Sequence, residues 1–279
     1  MLPLNKYIVG DSLKQLKLID DDSVDLCVTS PPYNKLEGNR GHLVDKVVYD
    51  EFVDKVDEDL YQESQIDILN EMYRIIKPGG SMFYNHRVRW EKGVTIHPLE
   101  WILKCDWKFR QEIVWDRTLA GNIRGWRFWP IDERIYWLYK PLDGNDKSGK
   151  ELESKHSLLT SIWRIMPNKN TNHPASFPIE LSSRIIYSIL DGKKGVVIDP
   201  YAGSGTTLIS AKLLGSDYIG IDMSTEYKTV FDNRVDSPSK DIEKHNNEIE
   251  KHFVNKTYKQ RKSELPPKCT REDLFEEDV

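Results

Sequence analysis

Apolar positions along the chain fall into short runs separated by stretches in which they recur every third or fourth residue. Lys6 to Gly10 (KYIVG) is one such run, followed by Leu13, Leu16 and Leu18 at near-helical spacing; Val24 to Thr29 (VDLCVT) is a second, stopped by Pro31 and Pro32. The pair reads as strand, helix, strand. Ile66, Leu69, Tyr73 and Ile76 recur at helical spacing, and Lys77 to Gly80 (KPGG) predicts the end of that helix before a strand over Ser81 to Asn85. Arg110 to Trp115 and Glu133 to Tyr139 are further strand candidates. Ile179 to Leu190 predicts a helix, with Pro178 in its first turn and Gly192 just past its end. Then follow a strand over Val196 to Asp199, a glycine-rich turn, a helix over Leu208 to Leu214 stopped by Gly215, and a strand over Tyr218 to Asp222. Alternation of this kind predicts a parallel sheet covered by helices. No internal repeat is visible. Beyond Asp236 the chain is rich in lysine and glutamate, which predicts one exposed helix and a loose tail ending in EEDV.

Composition narrows the class. Of 279 residues, 38% are hydrophobic and 30% charged, the latter above the usual ~25%, and mean hydropathy is -0.60. No apolar stretch approaches the ~18 residues of a membrane helix, and the opening MLPLNK lacks a basic-then-apolar layout. A chain neither secreted nor membrane-spanning is expected. Cys27, Cys105 and Cys269 are odd in number and far apart, with no Cys-x-x-Cys pair, so reduced thiols and no metal site are expected.

Net charge is -5, but its distribution matters more than the sum. Asp45 to Glu71 holds ten Asp/Glu against two Lys, which leaves the rest of the chain at +3. Lys104 to Lys140 holds eight Lys/Arg against five Asp/Glu, interleaved with Trp107, Trp115, Trp126, Trp129 and Trp137. Basic groups among aromatics suit nucleic acid, with Arg117, Arg124 and Arg127 as candidate contacts. The same stretch also reads as two amphipathic strands with aromatic core faces.

Two motifs carry chemistry. Asp199 to Thr207 (DPYAGSGTT) lies between a strand and a helix, where a glycine turn lets backbone approach a ligand and a helix N-terminus offers free N–H groups. A phosphate-binding loop needs Gly-Lys-Ser/Thr at its end and a dinucleotide fold three glycines; here only Gly203 and Gly205 occur. About 20 residues on, Asp222 ends the next strand, where an acid binds a ribose hydroxyl pair. The combination suits an adenosine-containing ligand without pyrophosphate, of which S-adenosylmethionine is the commonest.

The second motif is Thr29 to Asn34 (TSPPYN). Two prolines fix φ and remove N–H donors, which leaves the Ser30 and Pro31 carbonyls as acceptors on a rigid bend. An amino group held by such acceptors loses conjugation with its ring, and Tyr33 offers a flat face for a base. Gly10 to Leu13 (GDSL) matches the nucleophile block of one hydrolase family, but the Asp-x-x-His that family also needs is absent, since Asp241 to His245 is one residue too long.

Together, SPPY at Ser30 to Tyr33, the segment His173 to Pro178 (HPASFP) and DPYAGSGTT, in this order, resemble the β-class DNA amino-methyltransferases, from about Lys6 to Asp222. The resemblance implies an α/β, Rossmann-like S-adenosylmethionine-dependent methyltransferase fold. Its sheet would be mostly parallel and seven-stranded, with an antiparallel C-terminal hairpin and circularly permuted motif order. It implies a methyltransferase domain over 1–235, with target-recognition segments at about 35–63 and 117–164, and a charged helix and tail over 236–279. The implied catalytic residues are Ser30, Pro31, Pro32 and Tyr33. Asp11 would sit beside the cofactor's adenine, with Thr29 at the same site. His173, Pro174, Ala175 and Phe177 would close over its methionine part. Asp199, Pro200, Ala202, Gly203, Ser204, Gly205 and Thr206 would hold its amino-acid end, and Asp222 its ribose.

A tetrad headed by serine goes more often with N4-cytosine in that family, and one headed by aspartate with N6-adenine; cytosine is the expectation and adenine the alternative. No Pro-Cys-Gln motif of cytosine-C5 enzymes occurs. Glutamine methyltransferases and guanine-N2 RNA enzymes carry the cofactor motif before the tetrad, which argues against them, and a non-catalytic nucleic-acid-binding module has no need of an adenosine pocket. The implied partners are double-stranded DNA and a cognate restriction endonuclease, with a homodimer left open and no membrane; the implied location is the cytoplasm, at the nucleoid.

Overall fold

The structure is a computed structural model that describes residues 2–34, 56–119, 125–143, 160–167 and 177–252. In chain order these form β1 (Lys6–Val9), α1 (Ser12–Leu16), β2 (Val24–Thr29), α2 (Glu58–Ile75), β3 (Ile76–His86), β4 (Arg89–Glu91), β5 (Val94–Ile96), α3 (Leu99–Ile102), β6 (Lys108–Asp116), β7 (Asp132–Tyr139), β8 (Ile162–Arg164), α4 (Ile179–Leu190), β9 (Val196–Asp199), α5 (Thr206–Leu213), β10 (Asp217–Asp222), α6 (Thr225–Asp236) and α7 (Ser239–His252). Eight strands make one sheet in the order β1-β10-β9-β2-β3-β7-β6-β8, and β4 and β5 form a separate ribbon. From β1 to β3 all neighbours are parallel; β7 runs antiparallel to both β3 and β6, and β8 parallel to β6.

The middle strands read as continuous apolar runs because both faces are covered. Leu26 and Val28 of β2 belong to the core that includes α4 and α5, whereas Cys27 between them belongs to the core that includes α1, α2 and α3. The α2 helix starts at Asp57, whose side chain accepts from the Asp59 N–H, with Glu58 and Asp59 complementing the helix dipole. It buries Tyr61, Gln65, Ile68, Leu69, Met72 and Ile75 on one stripe. The α4 helix ends where Asp191 turns left-handed (φ 50°), followed by Gly192 (φ 75°).

Four expectations are corrected. The sheet has eight strands rather than seven, because Ile162–Arg164 adds outside β6. The antiparallel hairpin is β6 with β7, in the middle of the chain; among the described residues the C-terminal part is the helices α6 and α7. Lys77 to Gly80 is not a turn between helix and strand but the start of β3, since Gly79 N–H donates to the Lys140 carbonyl (2.8 Å) and Lys140 N–H to that of Gly80 (3.1 Å). The charged α7 is not simply exposed. Its low apolar content hides a polar attachment: His245 Nδ1 bonds Ser183 Oγ (2.8 Å), and Arg184 Nε donates to Glu248 Oε1 (2.6 Å), with both ends of that pair buried. Among the described residues no helix is long and apolar enough to cross a membrane.

Removing one partner of a buried ion pair leaves the other charge uncompensated. Glu248→Ala is therefore expected to destabilise the fold by about 3–5 kcal/mol, measured by urea unfolding.

Candidate functional site

Pairing of β2 with β9, Leu26 against Val197 and Cys27 against Ile198, brings the ends of two strands 170 residues apart to one edge of the sheet. The SPPY bend leaves one of them and the glycine turn the other, at the carboxyl ends where open α/β sheets bind ligands. Asp199 joins them. Its Oδ1 accepts from Thr29 Oγ1 (2.7 Å) and the Tyr201 N–H (3.0 Å), and its Oδ2 from Thr207 Oγ1 (2.8 Å). Burial pushes this carboxyl up to about 6, against the pull of those hydrogen bonds, and Asp222 adds to the rise. Asp199 thus ties strand, turn and helix together rather than presenting an open carboxylate.

The turn itself is held from every side. Ser12 Oγ donates to the Pro200 carbonyl, Ala202 N–H to the Ile221 carbonyl (2.9 Å), and Tyr7 Oη to the Gly203 carbonyl (2.7 Å). Arg234 Nη1 donates to the Ser204 carbonyl (2.7 Å), Ser204 Oγ (3.0 Å) and Thr206 Oγ1 (3.0 Å). Gly205 has φ 77°, and a Cβ there would stand 2.1 Å from the Phe231 ring, so only glycine fits. As the N-cap of α5, Gly205 offers no side chain to the first-turn N–H groups, which suits an anionic ligand group. Asp222 Oδ2 accepts from the Gly203 N–H (2.8 Å) and Oδ1 from the Ser224 N–H (3.0 Å), while burial raises its pKa. Each oxygen keeps acceptor capacity for a hydroxyl. Val9 pairs with Asp222 and Gly10 N–H donates to its carbonyl (2.8 Å), which sets Asp11 close by, where it caps α1 through the Lys14 N–H (2.9 Å). These donors and carboxylates fit S-adenosylmethionine, with its carboxylate, ribose diol and adenine. Phe177 is buried in the apolar cluster that holds Val28 and Ala202. His173, Pro174 and Ala175 lie outside the described residues.

Around the tetrad the structure assembles a polar network that sequence reasoning missed. Tyr33 Oη donates to Glu133 Oε2 (3.0 Å), so its proton is committed, and in the Ser30 Oγ to Tyr33 Oη bond (2.8 Å) Ser30 is the donor. Asn85 Nδ2 donates to Tyr33 Oη (2.8 Å) and Glu133 Oε2 (3.1 Å), with a longer contact to Ser30 Oγ (3.3 Å). Arg117 Nη1 donates to Glu133 Oε1 (2.8 Å), balancing the buried charge. Tyr61 Oη donates to the Pro32 carbonyl (2.7 Å) and meets His86 Nε2 at 2.7 Å. Tyr33 is buried, and its ring centroid lies 4.6 Å from that of His86. One signal for Glu133 stood in the sequence: it alternates with Ile135 and Trp137, an acid at an inward position of a strand.

Of the basic-aromatic stretch, Trp107, Trp115 and Trp137 are core, whereas Trp126, Phe128 and Trp129 are exposed. The aromatic-core reading thus holds for the first three and not for the second three. Arg117 is committed to Glu133, and Arg127 lies over the Trp90 ring (4.1 Å) and Trp126 (5.5 Å); Arg124 is outside the described residues.

A family model described as DNA methylase, covering N6 and N4 enzymes, matches residues 24–233. The type II methyltransferase M.BglII of Bacillus subtilis is 27% identical over 263 residues, 80% of this chain and 67% of the relative. M.HinfI of Haemophilus influenzae is 29% identical over 269 residues, 88% and 71%. Among solved structures, the PvuII DNA methyltransferase (cytosine-N4-specific) superposes with a TM-score of 0.66 at 17% identity, covering 88% of this chain and 92% of that one. A Thermus thermophilus protein, the putative DNA modification methylase TTHA0409 complexed with S-adenosyl-L-methionine, gives 0.58 at 26%, covering 82% and 93%.

With its folded pKa raised from 3.8 to about 6, Asp199 binds more protons folded than unfolded between those values. Its contribution to stability is full below pH 3.8 and is lost as pH rises through 6. Asp199→Asn removes that dependence. Urea unfolding from pH 4 to 7 should show the variant gaining on the parent by up to about 3 kcal/mol.

Proposed function

The chain belongs to the N6/N4 DNA methylase family, and on that premise we propose that, as an S-adenosylmethionine-dependent DNA amino-methyltransferase, it methylates the exocyclic N4 of cytosine in a flipped-out base. The observation that carries the choice of cytosine is the neutral Ser30 at the head of the tetrad. S-adenosylmethionine, when bound, supplies an electrophilic methyl group on a sulfonium. The protein's part is position and dipoles.

A base inside a duplex is out of reach and must leave the stack. Its amine donates to Ser30 Oγ and the Pro31 carbonyl, and Pro32 keeps the bend rigid through the bond from Tyr61 to its carbonyl. Ser30 is no covalent nucleophile: its hydroxyl donates a hydrogen bond to Tyr33, whose own hydroxyl donates to Glu133, and among the described residues no base stands beside it to take its proton. Tyr33 stacks the base with its ring. For the cofactor, Asp222 takes the ribose hydroxyls, Asp11 lies at the adenine, and the Asp199 to Thr206 turn takes the amino-acid end, closed over by the segment from His173 to Phe177.

DNA approaches over the turn between β6 and β7, where Arg127 among exposed aromatics offers a cationic and stacking surface. Target recognition falls to 35–63 and 117–164 around a methyltransferase domain over 1–235. The tetrad strand preceding the cofactor strand in the chain supports a permuted order of motifs. The type II relatives support a restriction endonuclease as partner and a cytoplasmic, nucleoid-associated setting.

Mass spectrometry of nucleosides from DNA incubated with protein and labelled cofactor tests the reading: labelled N4-methylcytosine is expected, and N6-methyladenine alone overturns the choice of base. Tyr33→Ala should weaken DNA binding by about 1–3 kcal/mol of stacking and spare cofactor affinity. Asp222→Ala should do the reverse, costing about 1.5–3 kcal/mol in cofactor binding by calorimetry.

A further inference from the structure

Asn85 stands on β3, beside the tetrad that follows neighbouring β2. It is buried, and its amide is fixed at one end only. Nδ2 donates to Tyr33 Oη, Glu133 Oε2 and Ser30 Oγ, whereas Oδ1, on the same planar group two bonds away, is buried and accepts from no described group. The orientation is forced. Turning the amide would set its carbonyl oxygen against the Glu133 carboxylate and against a tyrosine whose only proton is already given to that carboxylate.

A buried acceptor without a donor destabilises a fold, and one kept beside the tetrad points to a role there. The partner must bring an N–H or O–H to within reach of Ser30. We propose that Asn85 Oδ1 accepts a hydrogen bond from the exocyclic amine of the target base and selects bases that carry an amine at that place. The inference rests on the amino-methyltransferase reading and holds for either cytosine or adenine.

An exocyclic amine has two N–H bonds. If one goes to the Ser30 and Pro31 acceptors and the other to Asn85, the pair is drawn away from the plane of the ring, and the nitrogen lone pair is freed for attack on a methyl group. A base with a keto oxygen there, thymine or guanine, sets acceptor against acceptor and is rejected. Because Oδ1 is buried, the base must displace a covering side chain to reach it.

The test uses duplex oligonucleotides around the site at which the parent protein methylates DNA, with the target base intact or replaced by its counterpart without the amine, 2-pyrimidinone for cytosine or purine for adenine. Affinity is measured with S-adenosylhomocysteine present. The parent should prefer the amine-bearing target by about tenfold. Asn85→Leu, similar in shape but without an acceptor, should lower the preference severalfold, leaving the part that Ser30 and Pro31 supply; Asn85→Asp, which keeps an oxygen at that place, should retain it. A preference absent in the parent, unchanged in Asn85→Leu or lost in both variants overturns the assignment. Cofactor calorimetry reports folding, and if Asn85→Leu fails to bind cofactor, Asn85→Asp decides alone: retained preference supports the role and lost preference overturns it. A parent protein that leaves no methylated base in DNA fails at the nucleoside assay, which separates failure of the underlying reading from failure of this one.

Discussion

Everything at the site depends on one buried carboxylate shared between two strands. Asp199 ends β9, yet it is bonded to Thr29 at the end of β2 and to Thr207 in the first turn of α5. The strand pairing alone fixes Leu26 and Cys27 against Val197 and Ile198 and says nothing of where the segments beyond should go. Hydroxyl to carboxylate bonds continue the pairing past the ladder's end, and so set the distance between the SPPY bend and the glycine turn. On the proposed reading, a reaction between a base at one and a methyl group at the other is sensitive to that distance. Leaving Asp199 charged in the core is costly, as its raised pKa shows, and the protein retains it.

The second half of the site obeys similar logic with different chemistry. Glu133 is brought in from the antiparallel side of the sheet, across β3, and is neutralised by Arg117. Its role toward the tetrad is directional. By taking the Tyr33 proton it orders the hydrogens of Tyr33 and Ser30 in one sense, so that Ser30 Oγ faces any incoming amine as an acceptor. The β6 to β7 hairpin therefore has two jobs, with its buried aromatics completing a core and its exposed turn lying within reach of the same glutamate's partner.

How much of this was legible follows from locality. Strands β2, β9 and β10, the helix α4 and the glycine turn are written in consecutive residues, as apolar runs, Pro178 and Gly192, and the DPYAGSGTT segment. Asp222 could be assigned because its distance from the turn in sequence is set by one helix and one strand. Asn85, Glu133, Tyr7 and Arg234 were not singled out, since each takes its partners from a neighbour brought by the sheet or by helix packing: Asn85 and Glu133 from β3 beside β7, Tyr7 from the Gly203 carbonyl, Arg234 from Ser204. The α7 helix misled for a related reason. Hydrophobic periodicity detects apolar docking, and this helix docks through Ser183 with His245 and Arg184 with Glu248.

The strand order has a consequence for how the molecule is made. Among the described strands β1 comes earliest in the chain and pairs with β10, and β2 needs β9 on its flank; both partners lie near residue 200 or beyond. Until those arrive, β1 has no partner strand and β2 can pair only with β3. Such long-range pairing slows folding and leaves edges open to wrong partners. Synthesis at ~5–20 residues per second spans many seconds over that interval, so the nascent chain spends that time with β2 paired on one side at most.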